Sequence, residues 1–205
     1  RGTSVYYADQ VVPMLPEGLS NGICSLNPGE DRLAFSALME LDGSGKLCSF
    51  RFVKSVIRSR VKGVYSEVNR LLGGEQDPAL LEKYRDVRPL LPVFHRLSAL
   101  REGIRADRGV PEIDSAECKL LIGDDGRCQG VAVRERGEAE RMIEEFMLLA
   151  NESAASVGRS LGLPFVYRVH EKPDGQKLET LRQVLLAVGE DPEGVTAEMP
   201  AGKLR

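Results

Sequence analysis

Apolar and polar residues along the chain fall into short runs separated by stretches rich in glycine, proline and aspartate. Leu33 to Leu41 and Leu47 to Lys62 read as two antiparallel strands, because Asp42-Gly43-Ser44-Gly45 between them is a turn of residues that tolerate positive φ. Glu117 to Ile122 and Gly130 to Arg134 repeat the arrangement across Gly123-Asp124-Asp125-Gly126, and Phe165 to Val169 reads as one further strand. Helices are predicted from Tyr65 to Leu72, ended by Gly73-Gly74, from Pro78 to Tyr84, and from about Pro89 to Asp107, where Pro92 sits in the first turn. Two more run from Glu138 to Leu161 and from about Gly175 to Val188, leaving Glu190 to Arg205 as loop. The order is α+β, with a mixed or antiparallel sheet and packed helices rather than a βαβ repeat.

The same pattern predicts which faces are inside. On the third helix Leu90, Leu91, Val93, Phe94, Leu97 and Leu100 form the apolar stripe. On the fourth, Ile143, Phe146, Met147, Ala150 and Ala154 define the buried stripe, while Arg141, Glu145, Glu152 and Arg159 line the solvent side. Glu144 lies about 100° round that helix from Glu145, on the strip of Leu148 and Asn151 at the edge of the core. A carboxylate there is suited either to accepting a hydrogen bond from a bound hydroxyl or to pairing with a nearby arginine. The last helix carries Leu178, Leu181, Val184, Leu185 and Val188 at helical spacing.

The first 35 residues contain Pro13, Pro16 and Pro28 with Gly2, Gly18, Gly22 and Gly29, which exclude a long regular element although apolar residues recur throughout. Irregular backbone pinned by its own side chains is a common way to aim particular groups at a ligand.

Composition adds little to this and removes more. The 205 residues are 42% hydrophobic and 29% charged, an ordinary globular balance with room for one core and up to two subdomains. No apolar run approaches the roughly 18 residues of a membrane span, and no basic-then-apolar leader opens the sequence, so a cytoplasmic location is expected. Cys24, Cys48, Cys118 and Cys128 are too dispersed for a zinc site and are expected to be buried, reduced thiols, although Cys118 and Cys128 flank a turn and could approach each other. The net charge of −3 argues against a generic nucleic-acid binder, but cations cluster locally. Val53, Ile57 and Val61 share one face of a strand whose other face carries Lys54, Arg58, Arg60 and Lys62. Arg101, Arg105 and Arg108 form a second basic ridge at i, i+4 and i+7. Each cluster suits either a solvated face or a phosphate-binding one.

One set of segments goes further. RGTSVY, then VPMLPEGLSNGICSLNPGEDR, IRSRVKGVYSEVN, RGVPEIDSAE, RMIEEFMLLANESAA and PFVYRVHEKPD occur in that order. Together they closely resemble the RNB catalytic domain of the ribonuclease II and ribonuclease R family, over residues 1 to about 175. The resemblance implies the central part of an RNB-like catalytic domain from a hydrolytic 3′→5′ exoribonuclease. Such an enzyme threads single-stranded RNA into a channel and releases nucleoside 5′-monophosphates, with two magnesium ions activating water.

The resemblance also assigns residues. Tyr6, directly after Ser4-Val5, matches a tyrosine that stacks on the terminal base, and stacking suits an enzyme without sequence preference. Tyr65 in Val64-Tyr65-Ser66-Glu67-Val68 and Glu144, the first glutamate of the I-E-E run, match residues that contact the ribose 2′-hydroxyl near the 3′ end. That hydroxyl is what separates RNA from DNA. Ile113 stands where some relatives have a phenylalanine that completes the base clamp, so a looser grip on terminal bases is expected. Arg168 and His170 are expected to line the RNA channel.

By the same comparison, the aspartate cluster that holds magnesium lies upstream of RGTSVY and the TSPIRRY-like arginine motif lies downstream, so residues 1 to 205 are expected to be a single fragment of the domain. No metal ligand is assigned here: Asp42, Asp124 and Asp125 sit at hairpin tips, and Glu144 and Glu145 point in different directions. The expected partners are single-stranded RNA and the remainder of a parent polypeptide, with no membrane contact. A non-catalytic RNB-like module that binds RNA or protein is the alternative, and an α+β domain without nucleic-acid contact is the third.

Overall fold

A computed structural model of the chain describes residues 2–8, 10–110, 117–134, 136–169 and 174–196. The opening segment forms a minimal hairpin, β1 (Val5–Tyr6) against β2 (Val11–Val12), followed by a single π-helical turn at Gly18–Ile23. It is pinned mainly by polar contacts. The Ser4 hydroxyl accepts the Met14 N–H, Arg32 Nε donates to the Ser25 carbonyl, and the Gly29 N–H donates to the Ser59 carbonyl. Its apolar residues Leu15, Leu19, Ile23 and Leu26 are exposed, which differs from the internal anchoring expected of them.

β3 (Asp31–Leu41) and β4 (Leu47–Arg58) form the long hairpin that the sequence predicts, in antiparallel register from Asp31 opposite Arg58 to Leu41 opposite Leu47. The Asp42 carboxylate accepts hydrogen bonds from Ser44 N, Ser44 Oγ and Lys46 N, and Gly45 takes a φ of 83° that an L side chain rarely adopts. This tip is seated on a helix. A Cβ at Gly45 would stand 2.8 Å from Leu100 Cβ, and Arg101 Nη1 donates to the Gly45 carbonyl at 3.2 Å. β5 (Glu117–Ile122) and β6 (Cys128–Arg134) make the second antiparallel hairpin.

The helices are α1 (Tyr65–Leu72), α2 (Pro78–Lys83), α3 (Leu91–Asp107), α4 (Glu138–Ser160) and α5 (Gly175–Ala187). Asp77 and Asp174 cap α2 and α5 by accepting the Ala79 and Gln176 N–H groups. One 3₁₀ turn, Arg88–Leu90, leads into α3. The core lies where α1, α2, α3 and α4 meet, and consists of Val68, Leu80, Tyr84, Leu91, Ala139 and Met142. Among the described residues no helix is long and apolar enough to cross a membrane.

Four expectations change. Residues 163–169 form no strand and pair with none among the described residues; instead Phe165 and Tyr167 pack on Gly158 of α4. The cysteines are free, but all four are exposed rather than buried. The side of α4 facing α3 and the core carries Ala139, Met142, Glu145, Leu149 and Ser153, while Ile143 and Met147 face outward. On α3 the buried positions are Leu91, Ser98 and Arg101, with Val93 and Phe94 exposed. The two helices thus bury polar side chains, Ser98, Arg101, Glu145 and Ser153, alongside apolar ones such as Leu91, Met142 and Leu149.

The chain exposes 15,833 Å² of surface. A compact monomer of this length exposes roughly 9,500 Å². Among the described residues, exposed apolar side chains are grouped: Leu33, Phe35 and Val56 share one face of the long hairpin, and Leu120, Val131 and Val133 one face of the short one. Soluble monomers rarely leave such faces open.

Candidate nucleic-acid interface

Tyr65 opens α1, directly after Val64, whose extended backbone begins the helix. The buried Tyr84 fixes that start: its hydroxyl accepts the Val64 N–H at 2.9 Å and donates to Glu67 Oε2 at 2.6 Å. Burial pushes the Tyr84 phenol up, and the Glu67 carboxylate adds to the effect. Glu67 is held below the usual carboxylate range, first by its bond from Lys83 and then by that from Tyr84. The Tyr65 ring itself is 44% exposed. It therefore sits on fixed backbone with an accessible face.

Glu144 lies on α4 and forms an ion pair with Arg136, in the segment just before the helix. Both side chains are about two-fifths exposed. Such a pair is worth little and opens readily to another donor. Its neighbour Glu145 has the opposite fate. It is 3% exposed and stands 2.8 Å from Arg105 Nε, so the residue expected on the solvent side is the buried one.

Besides their apolar packing, α1 and α4 are linked by the side chain of Asn69. Asn69 Oδ1 accepts the Ala139 N–H at 2.8 Å, and Asn69 Nδ2 donates to Glu140 Oε2 at 3.0 Å. Glu140 also accepts the Gly137 N–H at 3.2 Å. Tyr65 precedes Asn69 by four residues and Glu144 follows Glu140 by four, so each shares a helix face with a member of this junction and lies one turn from it. Neither Asn69 nor Glu140 carries a signal in the sequence as a site residue. The one local clue is Gly137 at a helix start, which cannot cap α4 with a side chain of its own.

The other predicted site residues are not drawn into this junction. Tyr6 is 76% exposed on β1, and Arg168 is exposed in the irregular segment after α4. Ile113 and His170 lie outside the described residues. The strand of cations is partly as expected, since Lys54 and Arg58 are exposed while Val53 and Ile57 are half-buried. However, β4 ends at Arg58, short of Arg60 and Lys62, and Arg58 is paired with Asp31 at 2.7 Å. The second basic ridge is a correction. Arg101 and Arg108 reach Glu152 at 3.7 and 3.0 Å and Arg105 reaches Glu145, so these cations hold α3 to α4 instead of facing a phosphate backbone.

The described carboxylates form no magnesium centre. Among the described residues no three ligating side chains converge. Asp42 is occupied by its own turn, and Glu144 and Glu145 are each engaged by an arginine on different sides of the helix.

Comparison with known proteins identifies the class. The RNB domain family matches residues 1–201, and the chain belongs to that family. It is 40% identical over 196 residues to ribonuclease R 1 of Lactococcus lactis and 42% identical over 190 residues to ribonuclease R of Thermotoga maritima. These matches take in 96% and 92% of this chain but 24% and 26% of the relatives, so the chain spans about a quarter of their length. RNase R of Mycoplasma genitalium in complex with double-stranded RNA has the same fold, with a TM-score of 0.87 and 26% identity over 98% of this chain and 36% of that one. The α+β architecture expected of an RNB-like domain is therefore the one present.

Proposed function

We propose that this chain is part of a hydrolytic 3′→5′ exoribonuclease that degrades single-stranded RNA to nucleoside 5′-monophosphates, and that it supplies contacts to the RNA channel and the 3′-terminal ribose. Tyr65 and Glu144 bind the 2′-hydroxyl, Tyr6 stacks on the terminal base, and Ile113, Arg168 and His170 line the channel. The observation that carries this reading is the Asn69–Glu140 bond between α1 and α4, from which Tyr65 and Glu144 each lie one helical turn away. The RNB match supports it, as does the likeness to Mycoplasma genitalium RNase R in complex with ribose methylated single-stranded RNA, at a TM-score of 0.85 and 26% identity.

Magnesium serves the complete enzyme and, in this reading, is held by residues of the parent polypeptide beyond these; among the described residues no three ligating side chains converge. The open apolar faces of both hairpins dock on the remainder of the same polypeptide. Free thiols suit the cytoplasm, where we place the protein.

The test uses the purified 205 residues with magnesium and a labelled oligoribonucleotide. Weak binding and no release of mononucleotides are expected. Robust magnesium-dependent release would overturn the assignment of the metal site to other parts of the polypeptide. Reading the gene on both sides of this sequence separates enzyme from non-catalytic module: an aspartate cluster before it and an arginine motif after it support the enzyme.

A further inference from the structure

We propose that Asn69 is a positioning residue for ribose recognition: its side-chain amide sets the register between α1 and α4, and thereby between Tyr65 and Glu144. This inference rests on the reading of those two residues as ribose contacts. It goes beyond it by assigning a role to a residue that touches neither base nor sugar.

The argument begins with a helix that lacks its own cap. The first N–H groups of any helix have no intrahelical acceptor. α4 starts at Gly137, which has no side chain to supply one. Asn69 supplies it from α1, accepting from Ala139, while Glu140 folds back to accept from Gly137 and is held there by Asn69 Nδ2. One amide thus both donates and accepts, a combination that no carboxylate or aliphatic side chain reproduces. The space is made for it: a Cβ at Gly137 would stand 2.6 Å from Asn69 Cγ.

The position of this cap matters for a site one turn away on both sides. Tyr65 is fixed at its other flank by the Tyr84 hydroxyl on Val64 N, so α1 is held at its start and at Asn69 and has little freedom to rotate. Releasing Asn69 frees the α4 start to turn or slide against α1. A hydrogen bond to a ribose hydroxyl weakens steeply with such misalignment, whereas backbone contacts common to RNA and DNA tolerate it.

The experiment compares Asn69→Asp with the double variant Asn69→Asp/Glu140→Gln, in the polypeptide as its gene encodes it. The single change sets two carboxylates against each other. The double change restores a donor–acceptor pair with the roles exchanged. Equilibrium binding is measured without magnesium, to a single-stranded oligoribonucleotide and to the single-stranded DNA of the same sequence. Asn69→Asp is expected to lower RNA affinity about tenfold, the scale of one misaligned hydrogen bond, with DNA affinity unchanged. The double variant is expected to regain most of the loss.

Equal losses for RNA and DNA, an unchanged ratio in folded Asn69→Asp, or no recovery in the double variant would each overturn the proposal. Should Asn69→Asp not fold, Glu140→Ala, which keeps the Ala139 cap, is judged by the same ratio. Tyr65→Phe and Glu144→Gln are measured alongside. If neither lowers the RNA to DNA ratio, the ribose reading falls and the positioning role with it; if they do and Asn69→Asp does not, the positioning role falls alone.

Discussion

Arg105 Nε lies 2.8 Å from Glu145 Oε1 in the interface of α3 and α4, and Glu145 is almost wholly enclosed. The N–H does not point at the oxygen, so the pair is held by charge and not by an aligned hydrogen bond. Removing one partner strands the other, which is the costly way to break such a pair. Glu145→Ala is expected to destabilise the fold by about 2–4 kcal/mol, reduced from the fully buried case because Arg105 keeps partial access to water. The double change Arg105→Met/Glu145→Leu should cost less than Glu145→Ala alone, as read from urea unfolding. A double variant weaker than the single one would contradict this.

Gly137→Ala should disrupt the start of α4, since the new methyl group enters the space of the Asn69 amide. A loss of about 1–3 kcal/mol is expected from overpacking and the displaced cap. Alanine otherwise favours helices, so an increase in stability by thermal melting would refute the tight contact.

Acid stability tests the Glu67 cluster. The Glu67 pKa in the folded chain lies below its ordinary value of 4.5, so its contribution is present above that value and is lost as pH falls through the folded pKa. Glu67→Gln should therefore flatten the decline in stability below about pH 4.5. Unfolding curves from pH 7 to pH 3 for both proteins give the comparison, and parallel declines would exclude the effect.

Glu102 carries the opposite sign. Burial, the largest influence, raises its pKa despite the nearby Arg141, so its charged form destabilises the fold and the penalty grows as pH rises through the folded pKa. Glu102→Gln should be more stable than the parent at pH 7 and lose that advantage in acid. Equal stability at pH 7 would rule this out.

The open hairpin face predicts two outcomes for one substitution. Phe35 is 73% exposed and stacks only on Phe52, its ring centroid 5.4 Å away. In the 205-residue chain Phe35→Ser should change stability by less than about 1 kcal/mol and raise solubility. If the proposed docking on the rest of a gene-encoded polypeptide covers that face, the same change there should cost about 3 kcal/mol or more. Equal small effects in both would mean that the face stays open.

Most of the element boundaries could be read from residues alone. Asp42 to Gly45 and Gly73-Gly74 end their elements through local backbone preferences, which act whatever surrounds them. Long helical and strand periods likewise survive in any context. The RNB motifs were legible for a different reason: they are long runs of unusual composition, and they pointed to the family that the comparison shows.

What faces inward was decided only by the partners present. Periodicity says that α4 has an apolar side, yet α3 offers Arg101 and Arg105, so Glu145 turns in and Ile143 and Met147 remain outside. Phe165 to Val169 has the composition of a strand but packs its rings on α4 instead of pairing with a strand. The junction of Asn69 with the start of α4 spans about seventy residues of sequence and has no local signature. Turn chemistry and periodicity are properties of the chain itself, whereas burial, ion pairing and borrowed caps belong to pairs of elements, and those pairs exist only once the chain has folded.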